Sequence, residues 1–258
     1  MRSLIIAPAE EKRLAEALAS GADAVVVDLA LAPPGEKATA RTRTARFLKE
    51  ARGGGCGARL VVGVHALDSG ETDADLDVVM ASAPDAILLW RSFGAASVQQ
   101  LSAKLAVHEA DFALADGATR IIAVVDAAWG VLNMAGYRGS SARLLGVAWS
   151  AGSLSADVGA ESERESSGAY AGALRLARDL TLLAAAAAGV AAIDAAFSDL
   201  ADPEGLRAEA VAARRDGFSA KLAINPGQAR IISDVFGSPS IPLRQRNPSA
   251  SDRRNTAR

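Results

Sequence analysis

Between Arg120 and Gly159 the chain reads RIIAVVDAAWGVLNM and then, after a short connection, LLGVAWSAGSLSADVG. An apolar run, Ile121 to Val125, stops at a single carboxylate, Asp126. A second run, Leu144 to Trp149, stops at small polar residues, Ser150 to Ser153. A hard carboxylate oxygen such as that of Asp126 suits Mg²⁺. The same residue type is also a preferred N-cap for a helix starting at Ala127. Arg91 closes the run AILLWR, and its forked donors match a substrate carboxylate or a salt bridge across the mouth that the strand ends would form. His65 closes RLVVGVH, and imidazole is the side chain suited to acid or base work near neutral pH. It is a candidate acid or base, with structural capping as the plainer role. The other histidine, His108, falls mid-helix on an expected surface. Asp28 and Asp194 lie inside apolar runs, where a carboxylate must find partners, either loop amides or a polar layer in a strand-end cavity. Asp157 is expected to order the loop after Trp149. Trp90 and Trp149 read as pocket wall or core, and Lys221 as structural.

These residues sit at the ends of a repeating series of elements. Eight short apolar runs occur: Ser3 to Pro8, Ala24 to Leu29, Arg59 to His65, Ala86 to Arg91, Ile121 to Val125, Leu144 to Trp149, Ala192 to Phe197 and Ala220 to Asn225. Continuous apolar runs bounded by turns read as strands buried on both faces of a parallel sheet. Helical patterns separate them, at 10–20, 36–51, 73–83, 97–109, 167–189, 203–216 and 226–236, the last with Pro226 in its first turn. Eight strand–helix pairs predict a single-domain (β/α)₈ TIM barrel over residues 1–237. A doubly wound open sheet would carry a Gly-rich turn after its first strand, and IIAPAEE has none. In a barrel the chemistry gathers at the carboxyl ends of the strands, where Asp28, His65, Arg91, Asp126, Ser150 and Asn225 all fall. Residues 238–258 are rich in Ser, Pro, Arg and Asn and are expected to form a flexible or subunit-contacting tail.

The 258 residues carry a net charge of −2, which does not favour nucleic acid as a partner. One cysteine, Cys56, lies in GGGCGA and has no thiol partner in the chain, so a reducing, cytoplasmic setting is expected. Ala184 to Val190 is too short to span a bilayer, so no membrane association is expected. No GxxxxGK[ST], HExxH, CxxC or GxSxG is present.

RSLIIAP, SGADAVVVDL, PDAILL, VVDAAWGVLN, LLGVAWSAGSLSADVG and above all GVAAIDAAFSDLADPEGLRAEAVAARRDGFSAKLAINPGQ resemble the citrate lyase β-subunit-like proteins of the HpcH/HpaI aldolase superfamily. The resemblance runs from Arg2 to about Phe236. It implies a barrel, trimeric or hexameric, that cleaves or forms carbon–carbon bonds in short acids or their CoA thioesters, such as citryl-CoA or malyl-CoA, with Mg²⁺.

The resemblance also marks departures. The family's DLED reads Asp28, Leu29, Ala30, Leu31. Its R-V-N-P reads Gly63, Val64, His65, Ala66, without the arginine that grips substrate. L-P-K reads Leu89, Trp90, Arg91. The metal-binding glutamate becomes Asp126. G-A-E-D becomes Ser150 to Ser153, which puts Ser153 at the second metal-ligand position, and I-H-P reads Ile224, Asn225, Pro226. On this footing Asp126 and, weakly, Ser153 bind metal. Asp28, Arg91, Ser150 and Asn225 bind substrate, and Arg91, His65 and Asp126 carry the chemistry. Loss of a carboxylate lowers the expected affinity for Mg²⁺. Two alternatives stand beside the lyase: a degenerate paralogue that binds a small acid or acyl-CoA or serves as a partner subunit, and a barrel enzyme with metal-free chemistry using His65, Arg91 and Asp126.

Overall fold

Eight parallel strands pair in sequence order, and the first and last pair with each other to close a barrel. The structure is a computed structural model and describes residues 1–237. The strands are β1 (Ser3–Pro8), β2 (Ala24–Asp28), β3 (Arg59–Val64), β4 (Ala86–Leu89), β5 (Arg120–Val125), β6 (Leu144–Trp149), β7 (Ala191–Asp194) and β8 (Ala220–Ala223). The helices are α1 (Glu11–Leu18), α2 (Lys37–Gly53), α3 (Thr72–Val79), α4 (Ala95–Asp111), α5 (Ala128–Leu132), α6 (Ala151–Asp157), α7 (Gly172–Ala188), α8 (Pro203–Asp216) and α9 (Pro226–Gly237). The architecture is the (β/α)₈ barrel that the alternating pattern predicts.

Side-chain alternation divides each strand between two cores. Leu4, Val26, Val61, Leu88, Ile122, Val124, Ala148, Ile193 and Leu222 fill the barrel interior. Ile5, Val27, Val62, Ile87, Val125, Val147 and Trp149 point outward against Leu14, Leu48, Leu76, Leu101 and Leu174 of the surrounding helices. Strand β-branched residues fit this two-sided burial, which is why the runs read as strands at all.

Two elements depart from the sequence reading. The helix expected from Ser167 begins instead at Gly172. The preceding segment turns at Gly168, with φ of 84°, and closes an antiparallel bridge between Arg164 and Tyr170, with the Arg164 guanidinium 4.1 Å over the Tyr170 ring. The helix after Asp126 is only five residues long. Gly130 within it lies so close to the Ser92 carbonyl that a Cβ would stand 2.8 Å from the oxygen.

Asp194 is not part of a polar layer in the barrel mouth. Its neighbour Ile193 takes the inward position, so Asp194 points outward beneath α7 and α8. There it accepts from Trp149 Nε1 at 2.9 Å and pairs with Lys221 Nζ at 3.0 Å and Arg178 Nε at 3.2 Å. Lys221 is fully buried and also reaches Glu209 Oε1 at 2.8 Å and the Ala195 carbonyl at 2.6 Å. The lysine is structural, as expected, with its charge matched by fixed acceptors. His108 is less exposed than expected: it stacks on Phe112 and lies 3.8 Å from Asp77. Among the described residues no helix is long and apolar enough to cross a membrane. The expected tail from Ser238 lies outside the described residues.

Candidate functional site

The strand ends bring one column of inward positions to the mouth: Asp28 at the end of β2, Gly63 beside it in register on β3, His65 two residues further on, Trp90 after β4, Asp126 after β5 and Ser150 after β6. Asp28 is 1% exposed. Its Oδ1 accepts from the Ala30 amide at 3.0 Å and from Trp90 Nε1 at 3.1 Å. Burial pushes its carboxyl up to about 6, against these two hydrogen bonds and the nearby His65, which hold it down. A Cβ on Gly63 would stand 2.8 Å from Asp28 Oδ1. In this packing, any side chain at the position where the resemblance places the family's arginine would collide with Asp28.

His65 is pinned from outside the barrel. Its Nδ1 lies 2.8 Å from Asp75 Oδ2, and its main-chain amide donates to the same oxygen at 2.9 Å. The other oxygen of Asp75 accepts from Arg41 Nε at 2.7 Å, and Arg41 reaches on to Glu71. Asp75 is fully buried on α3. Sequence reading missed both Asp75 and Arg41. The signal lay in the α3 pattern, where Thr72, Asp75, Leu76 and Val79 form the buried stripe: a carboxylate at helical spacing among apolar residues must have a partner.

Asp126 is 7% exposed, and its buried Oδ1 has no hydrogen-bond partner among the described residues. Burial pushes its carboxyl up to about 6, the Arg91 amide and guanidinium oppose the rise, and the charge of Asp157 adds to it. Asp157 stands one helical turn beyond Ser153 on α6 and accepts from the Ala128 amide at 2.7 Å, so it caps α5 as well as ending its own helix. Asp126 itself makes no side-chain cap to α5, which disposes of the plainer role for it. Arg91 holds a left-handed φ of 51°, sparsely populated for a residue with a Cβ and costing on the order of 1 kcal/mol or more. Its guanidinium lies 5.4 Å from the Phe93 ring centre, in a cleft shared with Leu67 and Asp68.

A hollow of about 250 Å³ sits over the mouth, lined in part by Asp28, Trp90, Trp149, Ser150, Gly152 and Ile224. Ser150 Oγ lies 3.0 Å from Ser153 Oγ. Asn225 next to Ile224 is committed to its helix: its Oδ1 accepts from the Gln228 amide at 2.8 Å and caps α9. The structure therefore gathers Asp28, Trp90 and Ser150 around one hollow and places Asp126 and His65 at the same end of the barrel. It turns the Arg91 side chain into an adjoining cleft and uses the Asn225 oxygen locally.

Residues 2–226 match the family described as HpcH/HpaI aldolase/citrate lyase. The chain belongs to that family. It is 31% identical over 217 residues to the citrate lyase subunit beta of Leuconostoc mesenteroides subsp. cremoris, covering 84% of this chain and 70% of that one. It is 30% identical to the (3S)-malyl-CoA thioesterase of Cereibacter sphaeroides, covering 93% and 78%. The match to the citrate lyase subunit beta-like protein of Mycobacterium tuberculosis spans only 59% of that protein's length. Among solved structures, CitE of M. tuberculosis in complex with magnesium and pyruvate superposes with a TM-score of 0.79 at 28% identity, covering 95% of this chain and 93% of that one. Further structures of CitE from that organism hold magnesium with oxaloacetate, or magnesium with acetoacetate and coenzyme A.

The residues present fit a magnesium ion in part. Asp126 offers a buried, unpartnered carboxylate oxygen, the kind of hard donor Mg²⁺ takes. The charge of Asp157 on α6 acts on it, and the Ser153 hydroxyl, at the position where the resemblance places the second ligand, bonds Ser150. Among the described residues no three His, Cys, Asp or Glu side chains converge as a metal cluster, so oxygens of substrate and water would have to complete an octahedron.

Proposed function

We propose that the chain is a carbon–carbon lyase of the citrate lyase β-like type, acting with Mg²⁺ on a short carboxylic acid or its CoA thioester of the citryl-CoA or malyl-CoA class. The observation that carries the reading is the Asp126 carboxylate, buried in the mouth with one oxygen that no group among the described residues satisfies. An unpaired buried carboxylate is costly, and a cation brought with the substrate relieves that cost. The relatives that hold magnesium beside pyruvate, oxaloacetate or acetoacetate support the same assignment.

In this reading Asp126 holds the ion, with Ser153 as a neutral donor. Such an ion, when bound, would supply Lewis-acid polarisation of a substrate oxygen. Asp28 and Trp90 fix one wall of the acid pocket, and Ser150 offers a hydroxyl from the opposite strand end. Arg91 supplies a positive charge to the substrate carboxylate from the adjoining cleft, and Asn225 contributes its remaining donor. Apolar walls at Ile6, Leu31 and Ile224 exclude water and strengthen each of these interactions. A homo-oligomer, trimeric or hexameric, accompanies this assignment.

A second reading is a paralogue that binds the acid or acyl-CoA without turnover. Gly63 and Ser153, standing at the positions where the resemblance places an arginine and an aspartate, favour it. Incubation with malyl-CoA or citryl-CoA and Mg²⁺, with chromatography of the CoA species, separates the two. Acetyl-CoA with glyoxylate or oxaloacetate establishes the lyase. Saturable binding without product establishes the paralogue, and neither outcome refutes both.

A further inference from the structure

We propose that His65 is the proton-transfer group of this mouth and that Asp75, braced by Arg41, is its positioning residue. The proposal rests on the lyase reading for its substrate, and on the geometry of α2, α3 and β3 for its residues.

Asp75 receives two N–H donors, the His65 amide and Arg41 Nε, and its Oδ2 lies 2.8 Å from His65 Nδ1. A carboxylate already ringed by donors acts as an acceptor toward the imidazole, which puts the neutral ring's proton on Nδ1 and its lone pair on Nε2. The two ring nitrogens point to nearly opposite sides of the ring. With Nδ1 turned to the helix layer, Nε2 turns toward the barrel axis, the side on which Asp28 lies. Nε2 makes no hydrogen bond to any described residue, although the ring as a whole is buried. A histidine needed only to fasten the loop after β3 is already fastened by its main-chain amide. The bond from Nδ1 fixes the tautomer and the ring plane, the arrangement by which a buried carboxylate prepares a histidine base. The charged groups facing the ring are Asp28 from β2, Arg41 and, through it, Glu71 from the α2–α3 side, and Asp75.

The step balances within the substrate. His65 Nε2 takes the proton of the hydroxyl adjacent to the scissile bond. The O–H electron pair becomes the second bond of the new carbonyl, and the carbon–carbon pair passes into the enolate of the departing acyl group. The imidazolium then returns the proton to the enolate carbon. No oxidant or further reactant is consumed.

The first test reads the tautomer directly, without turnover. With ¹⁵N-labelled histidine and a His108→Gln background to leave one signal, long-range ¹H–¹⁵N spectra report which nitrogen is protonated in the neutral ring. The Nδ1–H tautomer is expected in the parent, with the Nε2–H form gaining in Asp75→Asn. An Nε2–H ring in the parent overturns the proposal. The second test is turnover of malyl-CoA with Mg²⁺. His65→Gln and Asp75→Asn are expected to lower kcat about 10²-fold or more with little change in KM, and added imidazole to restore part of the rate in His65→Ala. An unchanged kcat in His65→Gln also overturns the proposal. If the parent has no lyase turnover, the functional reading above fails, and the tautomer alone decides whether the mouth presents a histidine base.

Discussion

Replacing Asp28 with asparagine should stabilise the protein, and only above the pH at which the carboxyl ionises in the unfolded chain. Asp28 is 1% exposed, and burial raises it from an ordinary 3.8 to about 6. Both of its hydrogen bonds fall on Oδ1, and a carboxamide oxygen can accept the same two donors, so Asp28→Asn removes the charge and keeps the geometry. The native group ionises less readily than the unfolded one. Below about pH 4 both states are protonated and the substitution is near neutral. From about pH 4 to about pH 6 the unfolded chain ionises while the native one resists, and wild-type stability falls. Above that window the loss is constant. A gap of about two pH units corresponds to about 3 kcal/mol, at about 1.4 kcal/mol per unit. Urea unfolding of both proteins at pH 4 and pH 8, with midpoints and slopes compared, should show Asp28→Asn more stable by about 2–3 kcal/mol at pH 8 and within about 0.5 kcal/mol of wild type at pH 4. An equal difference at the two pH values, or a less stable variant at pH 8, would refute the reasoning.

Three further outcomes follow from the same geometry. Gly63→Ala drives a Cβ to within 2.8 Å of Asp28 Oδ1 and should cost about 1–3 kcal/mol by urea unfolding; that cost should shrink when Asp28→Ala is combined with it. Lys221→Met removes the fully buried cation that Asp194 and Glu209 share and leaves them only the partly exposed Arg178 and Arg164; it should destabilise by about 3 kcal/mol, a loss that a ligand-free thermal scan would register as a lower Tm. Asp157→Asn removes the charge that adds to the rise at Asp126 and keeps an oxygen for the Ala128 amide. The protein should therefore fold with unchanged Tm and bind Mn²⁺, used as a paramagnetic stand-in for Mg²⁺, more weakly.

The barrel was legible because its signal is local. The strands are short, largely apolar runs, rich in Val and Ile in β2, β3 and β5, and each run ends at a turn. The placement of polar side chains at the strand ends was legible for the same reason: Asp126, Asp28 and His65 each interrupt such a run where the parallel sheet stops. What escaped the sequence depends on parity and on distant pairing. Asp194 sits one residue from the inward Ile193, and that single step turns it out of the mouth and onto Lys221 and Arg178. The Asp75 partnership joins His65 across ten residues and Arg41 across 34, separations at which no local pattern identifies a partner. Ser167 to Ala171 has helical neighbours in sequence, yet Tyr170 packs edge-on at 5.0 Å against Trp149 and under Arg164, and this packing overrides the local propensity.

Calorimetric titration of Mg²⁺ with oxaloacetate, on wild type and Asp126→Ala, bears most directly on a cation held at the buried Asp126 oxygen. Oxaloacetate binding that requires Mg²⁺ in the wild type and is weakened at least about tenfold in the variant, about 1.4 kcal/mol, is the expected result. Binding of neither component at millimolar concentration, or metal-dependent binding that survives Asp126→Ala unchanged, would contradict it.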